Sequence, residues 1–303
     1  MLFIDFFTLL QMLILIVMVM TSVAFFSLFE RKMMSLIQLR KGPNKVSFYG
    51  ILQPISDAIK LMTKEDSSPD NSSKIVYSIS PVLFMLISLL IWLTIPTSWN
   101  IFYIDSSILL IILCFSLSVY GLIALGWFSN SKYAMLGSMR SISQSISYEI
   151  VLSFSIFSFM IYCMTLNLKN VSGMQEYIWN VLPFMSVSII TMISMLAEGN
   201  RSPFDLSEGE SELVSGYCVE YGCTSYTLIF LSENVYLMYM SFVFSSLFLG
   251  INFMFMKISL MVVLFVWIRA TMPRMRFDKI MMLCWLVLMP IILCVVMLYV
   301  LFV

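Results

Sequence analysis

The sequence predicts an all-α, polytopic integral membrane protein of about eight transmembrane helices, with an amphipathic surface helix and a re-entrant acidic loop. Three observations predict it. The 303 residues are 60% hydrophobic and have a mean hydropathy of +0.96. Only 11% are charged, against about a quarter in a soluble domain. The apolar residues also fall into stretches of about 20, the length a helix needs to cross a bilayer. The chain 1–303 reads as a single membrane domain with two non-spanning segments of interest, 30–75 and 198–222.

In order, the spans are expected near 5–29, 76–96, 106–127, 142–165, 178–197, 219–248, 251–269 and 280–302. The first is too long for a signal-peptide core and lacks a basic leader. Segment 30–75 is too short to bury a core of its own. Its stretch FYGILQPISDAIKLMTKE sets Ile51, Leu52, Ile55, Ile59 and Met62 on one face at helical spacing, so it is read as a helix lying on the membrane surface. A short polar stretch separates spans three and four, and only Gly250-Ile251-Asn252 separates six and seven.

The basic residues give the orientation. Loops after spans one, three, five and seven carry eight, two, one and four Lys or Arg, which is 15 of the 17. Only Lys169 lies in a loop of the other face, and Lys257 lies inside span seven. By the positive-inside rule the odd-numbered loops face the cytoplasm-equivalent side and both termini the opposite side. No internal repeat or low-complexity run is visible.

Composition excludes several functions. The formal net charge is zero, which argues against a nucleic-acid partner. There is no histidine, so imidazole-ligated haem and His-based acid–base chemistry are out. The six cysteines form no C-x-x-C pair and read as small apolar residues within spans. Heavy use of Met and Phe, 27 and 25 residues, suits an AT-rich organellar genome.

The charged residues that remain are the informative ones. ERKMMSLIQLRKGPNK, at 30–45, follows span one directly. It reads either as an anchor for anionic headgroups or, with Asp57 and Lys60, as the mouth through which an amphipathic molecule leaves the bilayer. Glu149, Glu233 and Lys257 fall inside spans four, six and seven. A charge at bilayer depth costs about 2.5–3.5 kcal/mol on the lenient insertion scale, so such groups face the bundle interior, pair or go neutral. A structural hydrogen bond or ion pair is the plain alternative for the two acids, and snorkelling to the interface for Lys257.

Six of the 17 acids crowd into 198–220: Glu198, Asp205, Glu208, Glu210, Glu212 and Glu220. They oppose the basic trend of their side of the membrane. Positions 205, 208 and 212 share a face if that part is helical, while Pro203-Phe204 and Gly209 break the chain. Leu206, Leu213, Val214 and Tyr217 need burial. Together these point to a segment folded back against protein at membrane depth. Carboxylates packed so closely cannot all ionise and titrate as a coupled set. The arrangement suits proton transfer or electrostatic signalling, with Glu149, Glu198 and Glu233 extending the row through spans four, five and six.

The same motifs carry a resemblance. ERK…Q-RKGPNKV…G-LQP-SDAIKL-TKE, GWFSNSKYAMLGSMRSISQSISYEI, NRSPFDLSEGESELVSGYCVEYG and VWIRATMPRMRFDK occur in the order seen in the subunit 1 family of NADH:ubiquinone oxidoreductase, respiratory complex I. The chain resembles that family over nearly its whole length, animal mitochondrial members best. Related membrane subunits occur in hydrogenase-type complexes. Met34-Ser35 replace a usual Leu-Gly pair, Met281-Met282 stand where a His is common, and the connection between spans six and seven is short.

The resemblance implies a multi-pass protein of the mitochondrial inner membrane, its odd-numbered loops facing the matrix. It implies a subunit of an H+-translocating NADH:ubiquinone reductase that is not catalytic alone. Ubiquinone is its substrate, while NADH, FMN and iron–sulfur clusters stay on partner subunits. The implied partners are other membrane-arm subunits, the quinone-site and terminal-cluster subunits of the peripheral arm, and lipids. It implies proton-coupling roles for Glu149, Glu198, Asp205, Glu208, Glu210, Glu212 and Glu220, to which burial adds Glu233. Arg31, Arg40, Asp57, Lys60, Phe230 and Arg269 are the candidates for the quinone tunnel and its entrance. Tyr148 and Gln144 are expected to bond Glu149 or line the cavity. The alternatives are a hydrogenase-linked relative, a stand-alone cation or proton transporter, and a purely structural anchor.

Overall fold

The structure, a computed structural model, describes residues 2–66, 68–70, 72–96, 105–175, 178–205, 216–250 and 252–302. Among them no strand occurs. The helices are α1 (Leu2–Ile37), α2 (Gln53–Met62), α3 (Lys74–Leu90), α4 (Ser107–Phe128), α5 (Lys132–Cys163), α6 (Leu168–Gly173), α7 (Met185–Glu198), α8 (Cys223–Phe244), α9 (Met254–Thr271), α10 (Phe277–Met282) and α11 (Met289–Phe302). A π-helical turn, Ser245–Leu249, extends α8, and another, Leu283–Leu288, joins α10 to α11.

Seven helical stretches are long and apolar enough to cross a membrane, and α7 adds a shorter apolar helix. The boundaries differ from the hydropathy reading in instructive ways. Span four begins at Lys132 rather than 142, with the Ser131 hydroxyl accepting from Ala134 N–H as an N-cap. Its polar first turns stay helical because Ser138 and Ser141 are buried and bond back to carbonyls three residues earlier. Span one runs on to Ile37, so Glu30 and Arg31 are helical residues and not loop. Span five shortens to α7, which starts two residues after Pro183.

Helix α5 is the centre of the bundle, packed against α4, α7 and α11, while α8 contacts α1, α2, α3, α7 and α9. No water is available inside a bilayer, so polar groups must be satisfied within the protein. The buried serines do this by bonding their own helix, as Ser147, Ser155 and Ser158 do on α5. Small residues also let backbones approach: a side-chain carbon on Gly126 of α4 would strike the Ser138 side chain of α5.

Helix α2 lies beside the bundle as an amphipathic element. Ile51, Leu52, Ile55, Ile59 and Met62 are all exposed, leaving an apolar face free for lipid. The chain reaches α2 through Gly50, whose φ of +73° and close approach to the Pro43 carbonyl exclude a side chain. Pro54 then opens the helix.

Candidate functional site

Two groups of residues converge on α8. The first is a cavity of ≈ 190 Å³ between α1, α2 and α8. Arg31 and Asp57 form its polar rim, joined by a 2.8 Å ion pair. Gln53 Nε2 donates to the other Asp57 oxygen at 2.9 Å and holds that carboxylate in place. The deeper wall is apolar, with Ala24, Ala58, Leu61, Phe230 and Leu231, and with Tyr226, whose ring stacks on Phe230 at 6.4 Å. A charged rim over an apolar wall is the form expected of a site for an amphipathic ligand.

The second is a buried polar array. Arg269 of α9 pairs with the buried Glu30 of α1. Glu233 of α8 accepts a hydrogen bond from the Tyr217 hydroxyl, and Arg201, Asp205 and Arg269 lie close enough to act on it electrostatically. Arg201 is itself buried and donates to Asn234 Oδ1 at 2.7 Å. Asp205, also buried, accepts from Arg274 Nη2 at 2.9 Å. Three carboxylates, Glu30, Asp205 and Glu233, thus share one region with three guanidinium groups, Arg201, Arg269 and Arg274. Opposite charges in equal number are what permits such burial.

The array is placed by a close approach of backbones. Gly137 of α5 sits against Gly216, whose φ is +58°. A side-chain carbon at 137 would come within 2.9 Å of Gly216 Cα and Tyr217 N. This close approach lets the 216–218 turn lie on α5, from which Tyr217 reaches Glu233.

Glu149 and Glu198 form a separate pair. Glu198 ends α7 and keeps one buried carboxylate oxygen with no hydrogen-bond partner among the described residues. Glu149 of α5 and Tyr236 of α8 are both in electrostatic range of it. Gln144 does not bond Glu149. Its amide donates to the Ala197 and Phe204 carbonyls at 2.7 and 2.9 Å, clamping the end of α7 to the turn that carries Asp205. Tyr148 donates instead to the Ile280 carbonyl at 2.9 Å and packs its ring on Phe204. Gln144 thus serves the turn around Phe204 through its amide, and Tyr148 only through its ring.

Glu208, Glu210 and Glu212, with Leu206, Leu213 and Val214, lie outside the described residues. Glu220 is in range of Tyr77, which donates to the Glu220 backbone carbonyl at 2.6 Å and stacks on Tyr221 at 4.4 Å. Burial pushes the Tyr221 hydroxyl up to about 12, and it donates to the Leu125 carbonyl at 2.9 Å. Arg40 and Lys60 are exposed and do not line the cavity. Lys257 donates to the Leu249 and Gly250 carbonyls and lies 5.3 Å from the Trp179 ring. It caps the C-terminal end of α8, a structural task.

Sequence reading missed Glu30, Tyr217, Arg201 and Arg274 as members of the array. A signal existed for all four, since Glu30 begins ERK, Arg201 and Tyr217 sit in NRSPFDLSEGESELVSGYCVEYG and Arg274 in VWIRATMPRMRFDK, the motifs already singled out. What the sequence did not carry was their pairing, which joins segments far apart in the chain.

A family model described as NADH dehydrogenase matches residues 10–300. The chain is 44% identical over 282 residues to NADH-ubiquinone oxidoreductase chain 1 of Anopheles gambiae, covering 92% of this chain and 90% of that one. It is 45% identical over 280 residues to the protein of the same name in Locusta migratoria, covering 91% and 89%. With that of Dictyostelium citrinum it shares 43% identity over 289 residues, covering 93% and 89%.

Proposed function

The chain belongs to the NADH dehydrogenase family, and from that premise we propose that it is a membrane subunit of an H+-translocating NADH:ubiquinone oxidoreductase in the mitochondrial inner membrane. In this reading it forms the membrane side of the ubiquinone path, and its buried carboxylates couple quinone reduction to proton translocation. It is not catalytic alone: NADH, FMN and iron–sulfur clusters belong to partner subunits. The odd-numbered loops, including 30–75 and 198–222, face the matrix and meet the peripheral arm.

The cavity between α1, α2 and α8 carries the proposal. Its rim matches a polar quinone head and its wall an isoprenoid tail. The exposed apolar face of α2 supports a mouth at the bilayer surface, where such a ligand partitions. From the rim, Glu30 is the neighbour of Arg31 in the chain, and through Arg269 it reaches Glu233, Arg201 and Asp205. A change of charge at the quinone therefore has a short route into the array. Arg31 and Asp57 orient the head, Tyr217 donates a hydrogen bond to Glu233, and Glu198 with Glu149 offers a further carboxylate pair one helix away.

A ubiquinone analogue with a photoreactive tail tests this in the intact complex. Labelling of the α2 segment 53–62 and the α8 segment 223–231 supports the path. Labelling of the complex that spares both segments removes it.

A further inference from the structure

Helix α8 begins without a cap of its own. Its N-cap is Gly222, which has no side chain to offer the orphan N–H groups of the first turn. The missing acceptor comes from elsewhere in the chain. Asp66, four residues beyond the end of α2, accepts from Thr224 N–H at 3.2 Å and from the Thr224 hydroxyl at 2.8 Å. Beside it the Cys223 thiol donates to the Glu65 carbonyl at 2.5 Å. A carboxylate at this helix end also meets the positive end of the helix dipole.

These contacts bear on the cavity because its two opposing walls are α2 and α8. Pro54, Asp57, Ala58 and Leu61 line one wall, and Tyr226, Thr227, Phe230 and Leu231 the other. Arg31 ties α2 to α1 through Asp57. Glu65 and Asp66, just past the C-terminal end of α2, make a polar tie to the start of the α8 wall. Apart from Asp57, the side of α2 that faces the cavity is apolar, with Pro54, Ala58 and Leu61.

We propose that Asp66 is a positioning residue that sets the width of this cavity, acting as an external N-cap for α8 and holding the α2 wall at a defined distance from Phe230. It touches no ligand; its effect reaches the isoprenoid tail through the spacing of the walls. The inference rests on the proposed quinone path, and the experiment separates the two.

The test is steady-state kinetics of the intact complex in membranes, with a short-tailed ubiquinone as acceptor and ferricyanide as the control that bypasses the quinone. Asp66→Ala is expected to raise quinone KM roughly fivefold, the factor that loss of one capping interaction implies. kcat and ferricyanide reduction stay unchanged. Asp66→Asn retains an acceptor for Thr224 N–H and is expected to restore most of the KM. Thr224→Val, which removes one of the two bonds, falls between. An unchanged KM in Asp66→Ala overturns the positioning role. So does a parallel fall of quinone and ferricyanide rates, which marks lost assembly, or an Asn variant as impaired as Ala. Phe230→Trp fills the cavity whatever Asp66 does. If its KM is normal the quinone path itself is wrong, whereas a raised KM there with a normal Asp66→Ala rejects the cap alone.

Discussion

Arg269 of α9 closes an ion pair on Glu30 of α1, joining two spans that lie 239 positions apart in the chain. Glu30 is only 6% exposed. Removing the cation therefore strands a carboxylate away from water, a loss on the order of 3 kcal/mol for a buried pair. Arg269→Ala is expected to lower the amount of assembled complex on native gels before any effect on quinone affinity is visible. Pairing it with Glu30→Gln is expected to recover assembly, because the stranded charge is then gone. A single mutant that assembles normally contradicts the pairing.

Arg31 is the contrasting case. Its pair with Asp57 is half exposed on the arginine side, and exposed pairs contribute about 0–1 kcal/mol. Arg31→Ala is expected to leave assembly intact and to raise the KM for short-tailed ubiquinone, with ferricyanide reduction unchanged. Equal KM values for mutant and wild type would take Arg31 out of the rim.

Glu198 has a buried oxygen that no described donor satisfies, beside Glu149. Glu198→Gln keeps the shape and removes the titrating proton. Quinone-linked NADH oxidation and the accompanying proton gradient are expected to fall at least tenfold, in the range typical of a lost proton-transfer group. NADH oxidation by ferricyanide should hold. Full pumping by the Gln variant, measured with a pH-sensitive dye in sealed vesicles, would show that this pair is structural.

Gln144 carries two backbone carbonyls on one amide, those of Ala197 and Phe204. Leucine in its place leaves the Phe204 carbonyl unsatisfied, while the Ala197 carbonyl keeps the Asn200 N–H, and a buried orphan costs about 1–3 kcal/mol. Gln144→Leu is expected to loosen the turn from 199 to 205 and to speed tryptic cleavage after Arg201. An unchanged digestion pattern would mean that the clamp is dispensable.

How much of this was legible in the sequence depends on the scale of the interaction. Span number and the amphipathic α2 are local properties, carried by apolar length and by the spacing of Ile51, Ile55 and Ile59. The start of α5 was not legible, because Lys132 and Arg140 look like loop to hydropathy while the serines between them are satisfied within the helix. The acids announced themselves by their rarity. Their partners did not, since Glu30 with Arg269 and Asp205 with Arg274 are set by tertiary packing. The cap on α8 was hidden for the same reason: Gly222 gives no capping signal, and Asp66 lies 158 positions from Thr224.

Gly137 tests whether the array depends on that packing or merely coincides with it. An added methyl at 137 meets Gly216 Cα and Tyr217 N at 2.9 Å, and both are backbone atoms that no rotamer change can move. The 216–218 turn must then lift off α5, carrying Tyr217 away from Glu233. Forced overpacking of this kind costs about 1–3 kcal/mol, which an assembled bundle tolerates. Gly137→Ala is therefore expected to assemble, to keep ferricyanide reduction, and to lose quinone-linked proton pumping to the same degree as Tyr217→Phe. The two changes combined should add little beyond either one, because both break the same hydrogen bond. Effects that add in full would place the role of Gly137 elsewhere than in aiming Tyr217.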